Sequence, residues 1–503
     1  MSSAIDELVK VEPALASLDA TAFHVLSLDV GTSGVRAALF NQEGIEYSSA
    51  RVGRNRVSLA DFTELDANTI VDEVFAAIDQ LLSANAHVTR IDVIAISAFW
   101  HSLLGVDESG APTTPLLTWA DTRATKVAKS LRAEFNESDM HNETGCRFHS
   151  SYWPAKLRWL QQEDGDAFNR TSQWLGFAEY LSLKMFDEPV ASVSMASATG
   201  LMNQRTCEWD WDFIRALNVG PDSLPPITQT IDQPLSARFV KRWPALGKSR
   251  LRAIVGDGAA NNVGGGCFSK DKIALMIGTS GAMRVVFEGQ PPEQLPSSLW
   301  SYRVDQKRVA IGGALSDGGG LYRWLIESLV VDTDPAELAA ALSVLEPDAH
   351  GLTILPFWSG ERSTGWSGDS RGAILGLTQQ TTTVEIVRAA LESIAYRFAL
   401  IDSSLATIAP NAKIIATGNA LRSSPIWLQI ISDVLGKPIM FGGTPEASIR
   451  GAALLALEAV GKIGAIGEVT ASIDEVFDPD MDRHVRYRRA LARQEEFYRK
   501  LIS

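Results

Sequence analysis

Residues 24–40 read HVLSLDVGTSGVRAALF and residues 272–287 read KIALMIGTSGAMRVVF, so the tetrapeptide GTSG occurs twice, each time between two apolar runs. Apolar runs on both sides of a glycine-bracketed turn predict a strand-turn-strand hairpin. Such a turn also exposes consecutive backbone N–H groups, which attract phosphate oxygens. Two copies at corresponding points of two halves predict two loops that face each other across a cleft, each holding part of one polyphosphate.

The two copies differ in one acidic residue. Asp29 precedes Gly31 at the end of the first predicted strand, whereas the second copy has Met276 and Ile277 there. A carboxylate beside a phosphate loop is well placed to hold Mg²⁺ through water, because magnesium keeps most of its hydration shell. Arg36 follows the first loop and can cover phosphate charge with its planar guanidinium. A single GTSG is more often an ordinary hairpin turn, but the duplication and Asp29 favour a phosphate site.

Length and composition limit the classes of protein. A chain of 503 residues is too long for one core and predicts two large domains. With 46% hydrophobic and 21% charged residues it resembles a globular enzyme, and its net charge of −14 argues against nucleic acid or an anionic membrane as the main partner. Three widely spaced cysteines, Cys146, Cys207 and Cys267, fit a reducing compartment without a disulfide framework.

The N-terminal segment carries no targeting signal. Residues 1–21 lack the basic start and apolar core of a secretory signal, and no uncharged apolar stretch is long enough to span a membrane. We therefore expect a flexible leader and a cytoplasmic protein.

The order of predicted elements is that of an α/β protein. Hairpin, helix (residues 65–83) and buried strand (residues 92–99) follow each other in the first half, and a hairpin, a glycine cluster and a helix over 383–405 follow in the second. A basic, polar stretch near 241–248 suggests the domain boundary. The predicted divisions are a leader (1–21), an N-terminal domain on the sugar and phosphate side (22–250), a C-terminal domain on the ATP side (251–490) and a helical tail (491–503).

Asp257 is the candidate catalytic base. It lies in IVGDGAA, residues 254–260, after a predicted buried strand and between glycines that allow a substrate to approach the backbone. Its carboxylate can accept a proton from a sugar hydroxyl that attacks a γ-phosphoryl group. In isolation a turn-forming residue or helix N-cap is the more common role for such an aspartate. Its proximity in sequence to the second phosphate loop favours the catalytic role.

The sugar site is predicted from the first half of the chain. Polyols are bound by a few directed hydrogen bonds over an aromatic surface, and FWHS (99–102) and WADTR (119–123) offer both. A lone histidine at a strand end is more often structural, and W-x-D-x-R is equally well an internal ion pair with a packed indole. His149, Tyr152 and Lys156 are weaker candidates. The predicted substrate-binding residues are Trp100, His101, Trp119, Asp121, Asp257 and Gly258.

Two further glycine segments are candidates for the nucleotide site. The segment GNALRSS (418–424) joins a strand to a helix and can lie under adenine and ribose, and the cluster at 318–320 opens another helix. Either is equally well a plain connecting loop. The predicted ATP and phosphate residues are Gly31, Thr32, Ser33, Arg36, Gly278, Thr279, Ser280, Gly318, Gly418 and Asn419, with Asp29 and Asp257 as the metal-binding residues.

Together these segments resemble the FGGY carbohydrate kinases from about residue 24 to residue 490. The matching stretches are LDVGTSGVRAALF, WADTR, VGDGAANNVGGG, MIGTSGAMR, PFWSGER, TGNALRSSPIWLQIISDVLGKPI and EASIRGAALLA. The resemblance implies two ribonuclease H-like domains of the actin and sugar-kinase superfamily, with ATP and sugar in the cleft between them. It also implies that Asp257 is the general base, that Asp29, Thr32 and Arg36 face phosphates and magnesium, that Thr279 touches phosphate, and that Gly418 lies against adenosine.

Within that family the sequence looks most similar to the gluconate-kinase-like branch, with xylulokinases as the alternative because His101 falls at their sugar-binding histidine. Two departures bear on the sugar. The Gln-Met-His-Gly pattern of xylulokinases is FWHS here, and Gly258 stands where the glycerol and xylulose branches have a substrate-binding Gln or Asn. Glycerol kinases are disfavoured further because their Arg-Glu pair is absent near residue 101.

The sequence therefore predicts an enzyme that transfers the γ-phosphoryl group of ATP, with Mg²⁺, to a hydroxyl of a small sugar or sugar acid, gluconate first and xylulose second. Two rivals of another class are a nucleotide-gated regulator on the actin-like fold and a catalytically silent homologue that senses sugar. No nucleic-acid or membrane partner is expected, and a homodimer is among the assemblies considered.

Overall fold

The computed structural model describes residues 22–31, 34–53, 64–228, 230–329, 334–442, 446–466, 470 and 473–502. Within them the strands are β1 (Val25–Gly31), β2 (Gly34–Phe40), β3 (Glu46–Gly53), β4 (Glu64–Leu65), β5 (Val93–Ala98), β6 (Leu104–Val106), β7 (Leu116–Leu117), β8 (Gln173–Leu175), β9 (Ala191–Ser192), β10 (Met202–Asn203), β11 (Glu208–Trp209), β12 (Ile227–Thr228), β13 (Gln233–Pro234), β14 (Arg250–Gly256), β15 (Lys272–Ile277), β16 (Gly281–Glu288), β17 (Trp300–Arg303), β18 (Arg308–Leu315), β19 (Thr353–Leu355), β20 (Ala373–Leu375), β21 (Lys413–Thr417), β22 (Ile439–Gly442) and β23 (Ile473–Phe477).

The helices of the same residues are α1 (Ala67–Ala84), α2 (Thr125–Glu134), α3 (Glu137–Thr144), α4 (Trp153–Glu163), α5 (Gly165–Arg170), α6 (Phe177–Phe186), α7 (Val193–Ser197), α8 (Trp211–Ala216), α9 (Ala237–Arg242), α10 (Asp257–Gly264), α11 (Gly319–Ser328), α12 (Pro335–Val344), α13 (Thr383–Leu405), α14 (Asn419–Arg422), α15 (Pro425–Leu435), α16 (Ala447–Ala459) and α17 (Met481–Leu501). Helix α13 has the predicted bounds. The Thr382 side chain accepts from the Glu385 N–H, and the Glu385 side chain accepts from the Thr382 N–H, which is a complete capping box.

The first large sheet has the strand order β13-β14-β5-β1-β2-β3. β14, β5 and β1 run parallel, whereas β2 and β3 continue as an antiparallel meander. The β1–β2 register pairs Gly31 with Gly34 and Asp29 with Arg36, so the predicted hairpin around the first GTSG is confirmed. β5 is buried along its whole length, which explains why its sequence is an almost continuous apolar run.

The second large sheet repeats the first, as the duplicated tetrapeptide predicts. Its order is β17-β18-β16-β15-β21-β22-β23. Read from β23, the succession β23-β22-β21-β15-β16-β18 matches β13-β14-β5-β1-β2-β3 strand for strand, with the same parallel and antiparallel neighbours. β15 and β16 flank the second GTSG as an antiparallel hairpin, so both copies occupy equivalent places in two equivalent sheets.

Helix α16 packs on the first sheet although it follows strands of the second. The Ser27 hydroxyl on β1 donates to the Ile449 carbonyl at 2.7 Å. α16 crosses α10 at a glycine on each helix, because a Cβ on Gly264 would lie 1.9 Å from the Ala447 carbonyl oxygen and a Cβ on Gly451 would lie 1.9 Å from that of Ala260. The absent side chains let the two backbones touch.

The sheets divide the chain later than the predicted boundary at residue 250. β14 belongs to the first sheet, since Ile254 pairs with Ile96 on β5, and the second sheet begins with β15. The basic stretch 241–248 covers the end of α9 and the turn before β14, so it is a surface connection within the first half. Residues from 491 onwards continue α17 instead of starting a separate tail, and the predicted leader lies outside the described residues.

No helix in the described part of the chain is both long enough and apolar enough to cross a bilayer.

Candidate active site

Predicted site residues lie at the carboxyl ends of three parallel strands of the first sheet. Ala98 on β5 lies level with Val30 on β1 and with Gly256 on β14. The carboxyl ends of these strands therefore meet, and the residues that follow β5 and β14, Trp100 and Asp257, lie at that edge. Open α/β sheets bind ligands at the carboxyl ends of their parallel strands.

Asp257 is the first residue of α10 and lies beside the second hairpin. Its Oδ1 accepts from the Gly258 N–H at 2.7 Å, and Gly256 takes the N-cap position, so the alternative role of Asp257 as an N-cap is wrong. Burial raises the pKa of Asp257, and the guanidinium of Arg284 on β16 opposes that increase. Nε of Arg284 donates to Oδ1 of Asn262 at 3.1 Å, which fixes the cation. A partly buried carboxylate held beside a cation suits a general base.

Trp100 explains the glycines around Asp257. A Cβ on Gly256 would lie 1.8 Å from the indole Cε2 of Trp100, and a Cβ on Gly258 would lie 2.6 Å from Cζ3 of Trp100 and from Nη1 of Arg284. The indole Nε1 donates to the Ser194 carbonyl at 3.1 Å, which holds the ring in place. Gly258 was predicted to bind substrate; in the structure its lack of a side chain makes room for an aromatic wall and a cation.

Asp29 is a second partly buried carboxyl group near Asp257. The Ser97 hydroxyl donates to Oδ1 of Asp29 at 2.8 Å. Burial raises the pKa of Asp29 to about 7, and Asp257 contributes to that increase. A carboxyl group whose ionisation is disfavoured by burial and by a neighbouring carboxylate is stabilised as an anion by a divalent cation beside it. The residues present thus fit the predicted magnesium site.

Arg36 lies opposite Asp29 on β2 but already has acidic partners. Its Nη2 donates to Glu46 at 2.5 Å and to the Ser49 hydroxyl at 3.2 Å, and its Nη1 lies 3.5 Å from a carboxylate oxygen of Glu446. A phosphate at the first loop would therefore compete with two carboxylates for this guanidinium. Thr32 and Ser33 of that loop lie outside the described residues.

The second loop packs against the glycine cluster of α11. The backbone N–H groups of Gly318 and Gly320 both donate to the Thr279 carbonyl, at 3.1 and 2.9 Å, and that of Gly319 donates to the Gly278 carbonyl at 2.8 Å. These amides are therefore committed to the loop. Close packing requires the glycines, since a Cβ on Gly318 would lie 2.7 Å from the Ser280 carbonyl oxygen.

Gly418 lies at the same edge of the second sheet. It follows β21, has a φ of 110°, and a Cβ there would lie 2.6 Å from the Ile277 carbonyl oxygen at the end of β15. Gly418 and the second loop are therefore neighbours, as a shared nucleotide site requires. The side chain of Asn419 lies outside the described residues.

His101 is neutral and has one ring nitrogen fixed. Its Nδ1 lies 2.7 Å from the Ala198 carbonyl, which can only accept, so Nδ1 carries the proton and Nε2 is an acceptor. Burial lowers the pKa of His101 to about 3. Its backbone carbonyl accepts from Nζ of Lys156 at 2.6 Å, and burial lowers the pKa of that lysine to about 7. A neutral acceptor of this kind suits a sugar hydroxyl.

The WADTR segment forms the internal ion pair that the sequence left open. Both carboxylate oxygens of Asp121 accept from Arg123, which also pairs with Glu64 at 2.8 Å and lies over the ring of Trp159. Asp121 is only 2% exposed, so little of its surface is available to a substrate. Its role in substrate binding stays a prediction. Trp119 is partly exposed and lies under the guanidinium of Arg362, 4.8 Å from the ring centroid.

The sequence-based prediction missed Arg284, Arg362 and Tyr302. Both arginines stand in quoted segments, MIGTSGAMR and PFWSGER, but no spacing rule marks one arginine among the 46 basic residues. The hydroxyls of Tyr302 and Tyr152 lie 2.6 Å apart, which brings the weaker candidate Tyr152 to the wall of the cleft. His149, another weak candidate, is buried, and burial lowers its pKa to about 3.

Comparisons with known proteins agree over most of the chain. The FGGY family of carbohydrate kinases matches with its N-terminal domain over residues 24–234 and with its C-terminal domain over residues 273–460. A gluconokinase of Bacillus subtilis is 28% identical over 90% of this chain and 91% of its own, and a glycerol kinase of Rhizorhabdus wittichii is 28% identical over 92% and 93%. Among solved structures, a xylulose kinase from Lactobacillus acidophilus has a TM-score of 0.85 at 25% identity, covering 96% of this chain and 99% of its own. A gluconate kinase from the same organism has a TM-score of 0.86 at 24% identity, covering 96% and 98%.

Proposed function

The chain belongs to the FGGY family of carbohydrate kinases, and we propose that it phosphorylates gluconate with ATP as the phosphoryl donor. One observation supports the chemistry most directly: the partly buried carboxyl group of Asp257 interacts electrostatically with Asp29 at the first hairpin and with Arg284 at the second. The choice of gluconate is supported by full-length similarity to a gluconokinase at 28% identity. The family transfers phosphoryl groups to alcohols, so the acceptor atom is a hydroxyl oxygen.

Asp257 accepts the proton of that hydroxyl as its oxygen attacks the γ-phosphorus. A bond forms between the acceptor oxygen and phosphorus, the bond to the leaving oxygen of ADP breaks, and the proton passes to the Asp257 carboxylate. Arg284 favours the anionic form of Asp257 and so keeps the base competent despite its burial. The base contributes on the order of 10²- to 10⁴-fold, and positioning within a closed cleft supplies most of the remainder.

Magnesium would be held, through water, by Asp29 with Asp257 nearby, and when bound it neutralises phosphate charge. Backbone groups of the two GTSG loops would bind phosphate oxygens. The Ser97 hydroxyl orients Asp29, since it donates to that carboxylate. Trp100 excludes water from the turn at Asp257 by covering Gly256 and Gly258.

Xylulose is the second candidate acceptor. His101 presents a neutral ring acceptor at the predicted sugar position, and the likeness to a xylulose kinase is as close in fold as that to the gluconate kinase. Gly258 argues against it, because no side chain there can replace the Gln or Asn contact of the xylulose branch. Gluconate is therefore preferred.

An ADP-release assay with Mg²⁺-ATP and a panel of gluconate, xylulose, ribulose and glycerol tests the proposal. We expect the highest kcat/KM with gluconate. A protein that is inert toward gluconate but phosphorylates xylulose would overturn the substrate while leaving the family reaction in place. If the protein binds a sugar but forms no ADP from ATP with any of the acceptors, it is instead a catalytically silent sensor.

A further inference from the structure

Arg362 is a cation of the cleft that lacks an ionic partner in the described structure. It follows Glu361 in the segment after β19, and its guanidinium lies over the ring of Trp119 from the other half of the chain, 4.8 Å from the centroid. Nη2 donates to the Leu315 carbonyl at 2.9 Å. Nε is buried and has no hydrogen-bond partner, and among the described residues no carboxylate oxygen lies within 4.0 Å of this guanidinium. A buried N–H donor of a cation that lacks a partner costs folding free energy, unless a ligand supplies the missing acceptor and negative charge.

Two other buried cations of this region, Arg284 and Lys156, are influenced most strongly by a carboxylate. Asp257 is the group that most favours the charged form of Arg284, and Asp121 is the one that does so for Lys156. For Arg362 the strongest such influences come from the phenols of Tyr302 and Tyr152, ahead of any carboxylate. Burial raises the pKa of both phenols well above the usual value, so these groups are neutral at physiological pH. Asp317 and Asp257 are the carboxylates that favour the charged form of Arg362, and neither forms an ion pair with it.

Arg362 lies near Asp257 but does not contact it. The two groups interact electrostatically without forming an ion pair. Trp119 supports the guanidinium plane, and the Leu315 carbonyl fixes one nitrogen, so the side chain is pre-organised. Nη1 and the second N–H of Nη2 remain as donors, and together they form the kind of end-on fork that matches a carboxylate.

We propose that Arg362 binds the carboxylate of a sugar-acid acceptor and thereby selects acids over neutral sugars. This inference rests on the proposed function, because gluconate carries its carboxylate at the opposite end of the chain from its primary hydroxyl. When that hydroxyl lies at Asp257, the carboxylate reaches toward Arg362, over Trp119. Neutral polyols of the same length leave the cation unpaired and bind less well.

The test compares gluconate with D-glucitol, which has the same six-carbon chain with a neutral hydroxymethyl group in place of the carboxylate. In Arg362→Gln we expect KM for gluconate to rise on the order of 10- to 100-fold, the range for a charge-assisted hydrogen bond, with kcat little changed and kcat/KM for D-glucitol unchanged. Arg362→Lys should recover part of the loss, because it restores the charge without the fork. Arg132→Gln is the matched control. Arg132 donates to the Trp366 carbonyl behind the same segment and pairs with Glu137, so its loss should affect both acceptors equally.

Three results would overturn the inference. An unchanged KM for gluconate in Arg362→Gln shows that the carboxylate binds elsewhere. An equal loss of kcat/KM for both acceptors assigns Arg362 to folding. A lower kcat with unchanged KM, together with slower ATP hydrolysis in the absence of sugar, assigns Arg362 to the phosphoryl group. If the unmodified enzyme does not phosphorylate gluconate at all, the proposed function fails separately. Calorimetric binding of gluconate and D-glucitol then decides on Arg362, and an absence of acid-selective binding that depends on this residue refutes its role.

Discussion

The contact between Trp100 and the Asp257 turn makes a quantitative prediction about Gly256. Its backbone, at φ −68° and ψ 141°, is accessible to every residue, so no conformational reason requires glycine. A Cβ would lie 1.8, 2.0 and 2.4 Å from three atoms of the Trp100 indole, whereas contacting carbon atoms lie about 3.5–4.0 Å apart. The indole is fixed by its bond to the Ser194 carbonyl. We therefore expect Gly256→Ala to destabilise the first sheet by about 3 kcal/mol, the upper end for overpacking.

Removing the ring should reverse the sign of the effect. In a Trp100→Ala background, Gly256→Ala should be neutral or stabilise by about 0.5 kcal/mol, because alanine restricts the unfolded chain more than glycine does. The coupling free energy between the two positions is then roughly 3 kcal/mol. Urea unfolding of the four proteins, followed by circular dichroism, measures it. The same cost for Gly256→Ala in both backgrounds would refute the assignment of that glycine to Trp100.

Two further predictions concern a carboxyl group and a helix contact. The pKa of Asp29 is raised to about 7 in the folded state, so the folded protein binds that proton more tightly than the unfolded chain and loses stability as pH rises toward 7. Relative to the unmodified protein, the free energy of unfolding of Asp29→Asn should therefore be about 2 to 3 kcal/mol larger at pH 8 than at pH 5. The variant should also lose Mg²⁺-dependent turnover. A shift of the urea midpoint that is equal at both pH values would contradict the stability prediction. Gly451→Ala places a Cβ 1.9 Å from the Ala260 carbonyl oxygen and should cost about 3 kcal/mol or more. Gly165→Ala, where a Cβ would meet nothing within 4 Å, is its near-neutral control in thermal unfolding, and equal melting temperatures for the two variants would argue against a tight α10–α16 contact.

Local patterns in the sequence predicted the repeated parts of the fold well. The hairpins around the two GTSG copies and helix α13 depend on residues near one another in the chain, so turn chemistry, apolar runs and the Thr382–Glu385 capping box are sufficient to locate them. Asp257 could be found for the same reason, since a strand, a glycine and an acid follow in direct succession.

Long-range packing limited the rest of the prediction. The return of α16 to the first sheet depends on Gly264 and Gly451 meeting across the fold, and no local pattern contains that contact. A basic surface stretch favours a boundary near residue 250, whereas sheet membership is decided by the pairing of β14 with β5. Arg362 reaches the cleft only because its segment crosses to Trp119 of the other half, so its role requires the structure.

The central claim, that Asp257 deprotonates the acceptor, is tested most directly by single-turnover kinetics of Asp257→Asn. With whichever acceptor gives the fastest ADP release, phosphoryl transfer should fall by about 10²- to 10⁴-fold, while binding of Mg²⁺-ATP and sugar, measured by calorimetry, stays within a few-fold. Asp402→Asn removes another buried carboxylate, one paired with Lys437 on the second sheet's side, and should leave the transfer rate per folded molecule unchanged. A transfer rate in Asp257→Asn close to that of the unmodified protein would contradict the account.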